Sequence, residues 1–176
     1  NYLPILAVRK MKTKNIEIRK AEPNDLIQVY ELIKELAAFE NEPNKPTNSL
    51  KKFIEEGTAK NPRFQVLVAE TDNSIVGIAL YYYGYSSWKG SMLYLDDLVV
   101  KEAYRKHGIG KKLLDELISI AKDERLNQVR WHVLDWNEKA INFYKKYPVT
   151  FDKTWITVKL EKENLFNFLI EKKANL

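Results

Sequence analysis

The chain has 176 residues, 45% hydrophobic and 12% aromatic, which fits one folded domain with a sizeable core and argues against disorder. It has no cysteine, which excludes disulfides, thiolate metal sites and a cysteine nucleophile, and two histidines, His107 and His132, cannot hold a metal alone, so no metal site is expected. The formal net charge of +5 suits an anionic ligand, but the basic residues are scattered among acids and no zinc-finger, RNP or basic-zipper pattern occurs, so nucleic acid is not an expected partner.

No apolar run approaches the ~20 residues of a membrane span. Tyr2–Val8 is apolar but short, and Arg9-Lys10 follows it rather than a cleavage site of small residues, so no membrane contact is expected and the expected compartment is the cytoplasm. Residues 1–14 read as lying outside the domain, either upstream of a start at Met11 or as an arm that packs on a neighbour. A single domain is expected over 15–176.

Ile16 and Ile18 alternate with Glu17 and Arg19, predicting a first strand over 15–20. Asn24 or Asp25 then caps a helix with Leu26, Val29, Tyr30, Ile33, Leu36 and Ala37 on one face, stopped by Pro43 and Pro46. Thr47 or Ser49 caps a shorter helix with Leu50, Phe53 and Ile54 inward, ending at Gly57. Two strands follow, 64–70 and 75–83, joined as a hairpin through Thr71-Asp72-Asn73-Ser74, and a loop spans 84–90.

The next stretch is the most informative. An apolar strand (Tyr94, Leu95, Leu98, Val99, Val100) runs through Arg105-Lys106-His107-Gly108-Ile109-Gly110 into a helix faced by Leu113, Leu114, Leu117, Ile118 and Ala121. Such a turn gathers free backbone N–H groups at the positive end of a helix, which suits a phosphate or pyrophosphate. Gly108 and Gly110 let a ligand approach the backbone, and Arg105, Lys106 and Lys111 add cationic side chains. The string is neither the dinucleotide fingerprint, since Leu113 stands at its third glycine, nor a P-loop. Taken alone, the turn fits an empty strand–turn–helix as well as a binding site.

Beyond it, 127–134 reads as a strand with Val129, Trp131 and Val133 on one face. Asn137 caps a helix to Lys146, Pro148 follows, 154–160 reads as a last strand, and 163–172 as a C-terminal helix. The element order predicts an α/β fold with a mixed sheet.

R-x-x-G-x-G after a hydrophobic strand resembles the acetyl-CoA pyrophosphate loop of the GNAT acetyltransferase superfamily. Asn137-Glu138-Lys139-Ala140-Ile141-Asn142-Phe143-Tyr144 resembles that superfamily's second cofactor segment, N-x-x-A-x-x-F-Y. Trp88-Lys89-Gly90 and Tyr94-Leu95-Asp96-Asp97 are similar to the spermidine/spermine and thialysine acetyltransferase branch. The resemblance runs from about Ile16 to Leu160. It implies the GNAT fold, a central, mostly antiparallel mixed sheet with helices on both faces and a splay between the two cofactor strands. It also implies acetyl-CoA as co-substrate, a small primary amine (a polyamine, diamine or thialysine-like molecule) as substrate, and a homodimer; with no cysteine for an acyl-enzyme, direct attack in a ternary complex is expected.

Acetyl transfer to an amine needs a proton acceptor, donors for the carbonyl oxygen, and a proton or its equivalent for the departing thiolate. The resemblance assigns the last role to Tyr144 and the proton acceptor to Asp96, through a water, although that branch usually has glutamate there. Adjacent strand residues point to opposite faces, so only one of Asp96 and Asp97 is expected in a given cleft. By resemblance the backbone at Leu98, Val99 and Val100 lies along pantetheine. The loop residues Arg105, Lys106, His107, Gly108, Ile109, Gly110 and Lys111 hold the phosphates, and Asn137 and Ala140 contact the cofactor. Phe39, Glu40, Trp88, Asp97 and Asp152 are the candidate amine-binding residues beside Asp96. Where the superfamily usually has a glycine after the F-Y helix, Tyr147-Pro148-Val149 stands instead. The rival functions are acetylation of a protein amino group and a non-catalytic acyl-CoA sensor.

Overall fold

The computed structural model describes residues 15–162, 164 and 165. They fall into two compact units divided between His132 and Val133.

The first unit is built on a five-stranded sheet in the order β1-β2-β3-β4-β5. Its strands are β1 (Glu17–Lys20), β2 (Gln65–Thr71), β3 (Ser74–Ser86), β4 (Gly90–Val100) and β5 (Gln128–Arg130). The first three pairings are antiparallel and the last is parallel. Helices cover both faces, as α/β layering requires. On one face α1 (Leu26–Phe39) and α2 (Leu50–Thr58) lay Leu26, Val29, Leu32 and Phe53 against Val66, Val68, Ile78, Leu80 and Val99. On the other, α3 (Ile109–Asp123) brings Ile109 and Leu113 against Gly77.

Local chemistry sets the boundaries, and several differ from expectation. Helix α1 stops before its prolines: Asn41 adopts φ 62, with Asn41 N donating to the Ala38 carbonyl and Glu42 N to that of Ala37. This paired closure needs a left-handed residue, and asparagine tolerates that better than most. Gly57 lies inside α2 rather than ending it. A Cβ there would sit 2.8 Å from Phe64 Cζ, so the glycine serves close packing. Ser49 is the cap, its Oγ accepting from Lys52 N at 3.2 Å. The β2–β3 turn is Asp72-Asn73, both left-handed (φ 48 and 59), as a two-residue hairpin turn demands. The loop expected over 84–90 is mostly strand, because β3 runs to Ser86 and pairs with Gly90.

In the second unit, α4 (Glu138–Tyr144) is capped by Asn137, whose Oδ1 accepts from Ala140 N at 3.2 Å. It closes with Tyr147 N donating to the Tyr144 carbonyl, so no left-handed glycine is needed before Pro148. The strand expected over 154–160 does not form: the segment is irregular, with Trp155, Ile156 and Val158 well exposed. Most of the helix expected over 163–172 lies outside the described residues.

Asp25 does not cap α1 in the usual way. Its carboxylate is buried between Arg19 Nη1 at 2.6 Å and the Glu22 backbone N–H at 2.7 Å, while Arg19 also meets Glu70 at 2.7 Å. The hydrogen bond from Arg19 holds the Asp25 carboxyl below its usual range. A depressed folded-state value contributes stability above the unfolded value of about 3.9, lost as pH falls through the folded value. Asp25→Asn should therefore cost about 2 kcal/mol at pH 7 and flatten the acid side of the stability profile. Urea melts between pH 2.5 and 7 read both effects; an unchanged acid limb would remove Asp25 as its origin.

Candidate active site

Two features of β4 shape the candidate site in the first unit. Its parallel pairing with β5 covers only Met92–Tyr94 with Gln128–Arg130. From Leu95 to Val100 that edge has no strand partner among the described residues, and at its end the Val100 carbonyl accepts from Arg105 Nε. The resemblance implies such a splay.

The second feature is a register shift. Leu80 pairs with Asp97 but Tyr81 pairs with Leu95, so β4 carries one extra residue, Asp96. Leu95, opposite Tyr81, lies in the phase of the α3 face. Val99, opposite Ile78, joins the α1 core, although four residues in a regular strand would keep the two on one face. The bulge reverses the alternation. Asp97, opposite Leu80, therefore turns toward α1, where Glu40 ends the helix. Asp96 continues the phase of Tyr94, which stacks on Tyr82 at 4.9 Å, and its charge raises both phenols' pKa after burial. Both carboxylates thus occupy the α1 side, overturning the expectation that only one could.

The electrostatics agree. Burial, then Asp96, then Glu40 push the Asp97 carboxyl up to about 7. Burial raises Glu40 as well. Three carboxylates repelling one another in a partly desolvated place suit a cationic guest.

At the phosphate-type turn, Gly108 is the left-handed residue (φ 76) before α3, and a Cβ built there meets nothing within 4 Å. Space is open above Gly110 too, whose nearest neighbour would be Val100 Cγ2 at 3.8 Å. Lys106 is also left-handed (φ 66), a conformation that costs a residue with a Cβ about 1–2 kcal/mol. The residues present therefore fit an anion held by backbone N–H groups. The side chains are partly engaged: Lys111 pairs with Asp115, and His107 Nδ1 donates to the Tyr104 carbonyl at 3.3 Å. Arg105 Nε donates to the Val100 carbonyl at 2.9 Å while its guanidinium lies over the Phe39 ring at 5.5 Å. Arg105 therefore joins the turn, the end of β4 and the end of α1, a link no sequence spacing displayed. Ile109 and Val99 place their side chains in the core, leaving only their backbone for a ligand. Leu98 and Val100 are half-buried.

One candidate of the same unit stands apart. Trp88, 80% exposed, lies in the β3–β4 hairpin turn, and Gly90 to Asp96 spans about 20 Å of strand. Asp152, in the second unit, accepts from Thr154 N at 2.9 Å and Thr154 Oγ1 at 2.6 Å, a local turn that occupies its carboxylate. Also in that unit, Tyr144 is buried and packs on Phe143 with the rings tilted, and burial pushes its phenol up to about 12. Sequence reasoning missed Tyr82 and His132, which flank Tyr94 by stacking and by a hydrogen bond between its hydroxyl and His132 Nδ1. Only the strand register could have brought them together.

The β4–β5 pairing that ends at Tyr94 and the glycine turn that opens α3 are features an acyl-CoA-binding fold would supply. Residues 27–147 match the model of the acetyltransferase (GNAT) family, and the chain belongs to that family and is an N-acetyltransferase. It is 35% identical over 157 residues to the mouse thialysine N-epsilon-acetyltransferase, covering 83% of this chain and 92% of the relative. It is 32% identical over 174 residues to the human spermidine/spermine N(1)-acetyltransferase-like protein 1, covering 93% of this chain and 25% of that protein. Among solved structures, an aminoglycoside acetyltransferase from an uncultured soil metagenomic sample superposes with a TM-score of 0.69 at 22% identity, covering 83% of this chain and 95% of that one, a likeness of fold.

Gly108→Val should test the turn. Valine at φ 76 costs about 1–2 kcal/mol of stability and sets a branched side chain in the open space. Acetyl-CoA affinity measured by calorimetry should fall about tenfold or more, ~1.4 kcal/mol, in a protein that still melts cooperatively. Unchanged affinity would place the phosphates elsewhere.

Proposed function

We propose that the protein transfers the acetyl group of acetyl-CoA to a primary amine of a small polyamine, diamine or thialysine-like molecule, by direct attack in a ternary complex. The observation that carries this reading is the convergence of Asp96, Asp97 and Glu40 on one side of β4. An ammonium group is the ligand such a cluster favours. The relatives named for thialysine and for spermidine/spermine support the same class.

Acetyl-CoA supplies the acyl group as an activated thioester. The glycine turn would hold its phosphates by backbone N–H groups, with Lys106 and Arg105 as nearby cations and Asn137 and Ala140 as contacts from α4. The β4 backbone at Leu98, Val99 and Val100 would lie along the pantetheine, with an N–H donating to the thioester carbonyl. The amine, with a pKa near 10.4, must lose a proton before it attacks, and a carboxylate of the Asp96–Asp97 pair accepts it. Tyr144 serves the departing sulfur. A phenol at about 12 stays protonated at neutral pH, and against a thiol near 8.5 it acts chiefly as a hydrogen-bond donor. Phe39 and Glu40 contact the amine's chain, and Trp88 and Asp152 complete the proposed amine-binding set. A homodimer belongs to the reading, supported by the exposed Trp155, Ile156 and Val158.

The test is acetyl-CoA turnover over spermidine, spermine, putrescine, thialysine and a lysine-bearing peptide. Turnover of the peptide alone would overturn the small-amine reading. Tyr144→Phe keeps the ring and removes the donor, so kcat should fall about 10²-fold with little change in acetyl-CoA KM. A full kcat at saturation would remove Tyr144 from the chemistry. Ile156→Asp should shift sedimentation from dimer to monomer, and a dimer that persists would discount this segment.

A further inference from the structure

We propose that Arg130, His132 and the Tyr94 hydroxyl form a carboxylate-binding subsite beside the acid cluster, which makes the preferred substrate a lysine-like amino acid rather than a polyamine. The inference rests on the amine acetyltransferase reading and names the substrate class within it.

The juxtaposition comes from the last pairing of the sheet. Tyr94 lies directly opposite Arg130, so their side chains share a face, the α1 side on which Asp96 also stands. His132, two residues beyond Arg130, meets the Tyr94 ring edge-on at 5.7 Å and joins its Nδ1 to the Tyr94 hydroxyl by a hydrogen bond. Tyr82 stacks on Tyr94 from β3, on the opposite flank of β4. The Tyr94 ring is thereby held from both sides.

Three donors result. A phenol and a neutral imidazole carry one O–H and one N–H. Their mutual bond uses one of these, and whichever group donates, the other proton stays available to an acceptor. Arg130 is exposed. Among the described residues it makes no ion pair, and its Nη2 donates to the neutral Gln128 Oε1 at a long 3.3 Å. A carboxylate would replace that contact with paired, charge-assisted bonds. Burial, then Tyr82, then Asp96 raise the Tyr94 phenol and Arg130 opposes them, so both charges lie within electrostatic reach of one hydroxyl.

The α1 side of β4 thus carries acids at one level and a cation at another. Asp96 is two residues from Tyr94, about 7 Å along the strand, and Arg130 is about 5 Å across to the next strand. The diagonal is about 8 Å, which an extended lysine-like amino acid spans between its terminal nitrogen and its carboxylate. With the terminal ammonium at Asp96 and Asp97, the carboxylate falls at Arg130. A diamine of that length would set its second ammonium against the guanidinium, and the repulsion selects against it.

The test compares kcat/KM, with saturating acetyl-CoA, for thialysine, for its decarboxylated counterpart (a diamine that lacks only the carboxylate) and for spermidine. Wild type should prefer thialysine to the diamine by about tenfold, the worth of a hydrogen bond to a charged group. Arg130→Gln should lower kcat/KM for thialysine by about tenfold, chiefly through KM, and leave the diamine and acetyl-CoA KM unchanged. Arg130→Lys should restore part of the preference and Arg130→Glu should invert it. Tyr94→Phe and His132→Ala should each lower thialysine turnover more than that of the diamine. An arginine on an outer strand also discourages pairing with other molecules, but losing that role would not separate two substrates. A wild type indifferent to the carboxylate, or an Arg130→Gln variant that loses both substrates equally, overturns the subsite while the amine acetyltransferase reading stands. Absence of transfer to all three amines by wild type overturns both.

Discussion

The one-residue register shift in β4 is the constraint on which the site depends. Every other feature of that strand follows a simple alternation: Leu93 and Leu95 on one face, Tyr94 between them on the other. Were the alternation kept to Val100, the acids would be divided between faces and Val99 would be lost from the α1 core. The bulge leaves one residue without a cross-strand partner and bends the strand locally. In return, Val99 packs with Ile78 and Leu80, and Asp97 stands beside Asp96 and Glu40. Because β4 loses β5 as a partner after Tyr94, the distorted part of the strand is also its open part.

The glycine turn shows the same economy of position. Two left-handed residues, Lys106 and Gly108, lie within three positions of each other. Glycine takes such a conformation freely and lysine at a cost of about 1–2 kcal/mol. The neighbouring structure holds the turn against that cost: Arg105 N donates to the Glu102 carbonyl, Arg105 Nε reaches the Val100 carbonyl, and Ile109 is buried at once in the core. Arg105 therefore has a structural task beside any electrostatic one, and its stacking on Phe39 connects the glycine turn to the acid side.

Much of this was legible in the sequence. The strand–turn–helix from Tyr94 to Ala121, the Ser49 and Asn137 caps and the β2–β3 hairpin are local, and their signals are a side chain at fixed offset or a regular period. What escaped was non-local. A bulge cannot be read from Leu95-Asp96-Asp97-Leu98, because an extra residue is defined only against the partner strand, so the rule of opposite faces misplaced one aspartate. The Pro43 stop was misread because a left-handed Asn41 ended α1 first. The 154–160 segment has the alternation of a strand, but β propensity alone does not make one without a neighbour to complete its hydrogen bonds.

The acid cluster is set in a chain whose net charge is positive, and the contrast has a physical consequence. Against a net charge of +5, Asp96, Asp97 and Glu40 form a local concentration of negative charge. The cluster is uncomfortable in the empty protein: a carboxyl raised to about 7 contributes stability at low pH that is lost as pH rises toward that value. A bound ammonium group opposes that loss by supplying the missing positive charge. The bulge that turns Asp97 toward Glu40 thus sets the electrostatic arrangement that raises its carboxyl.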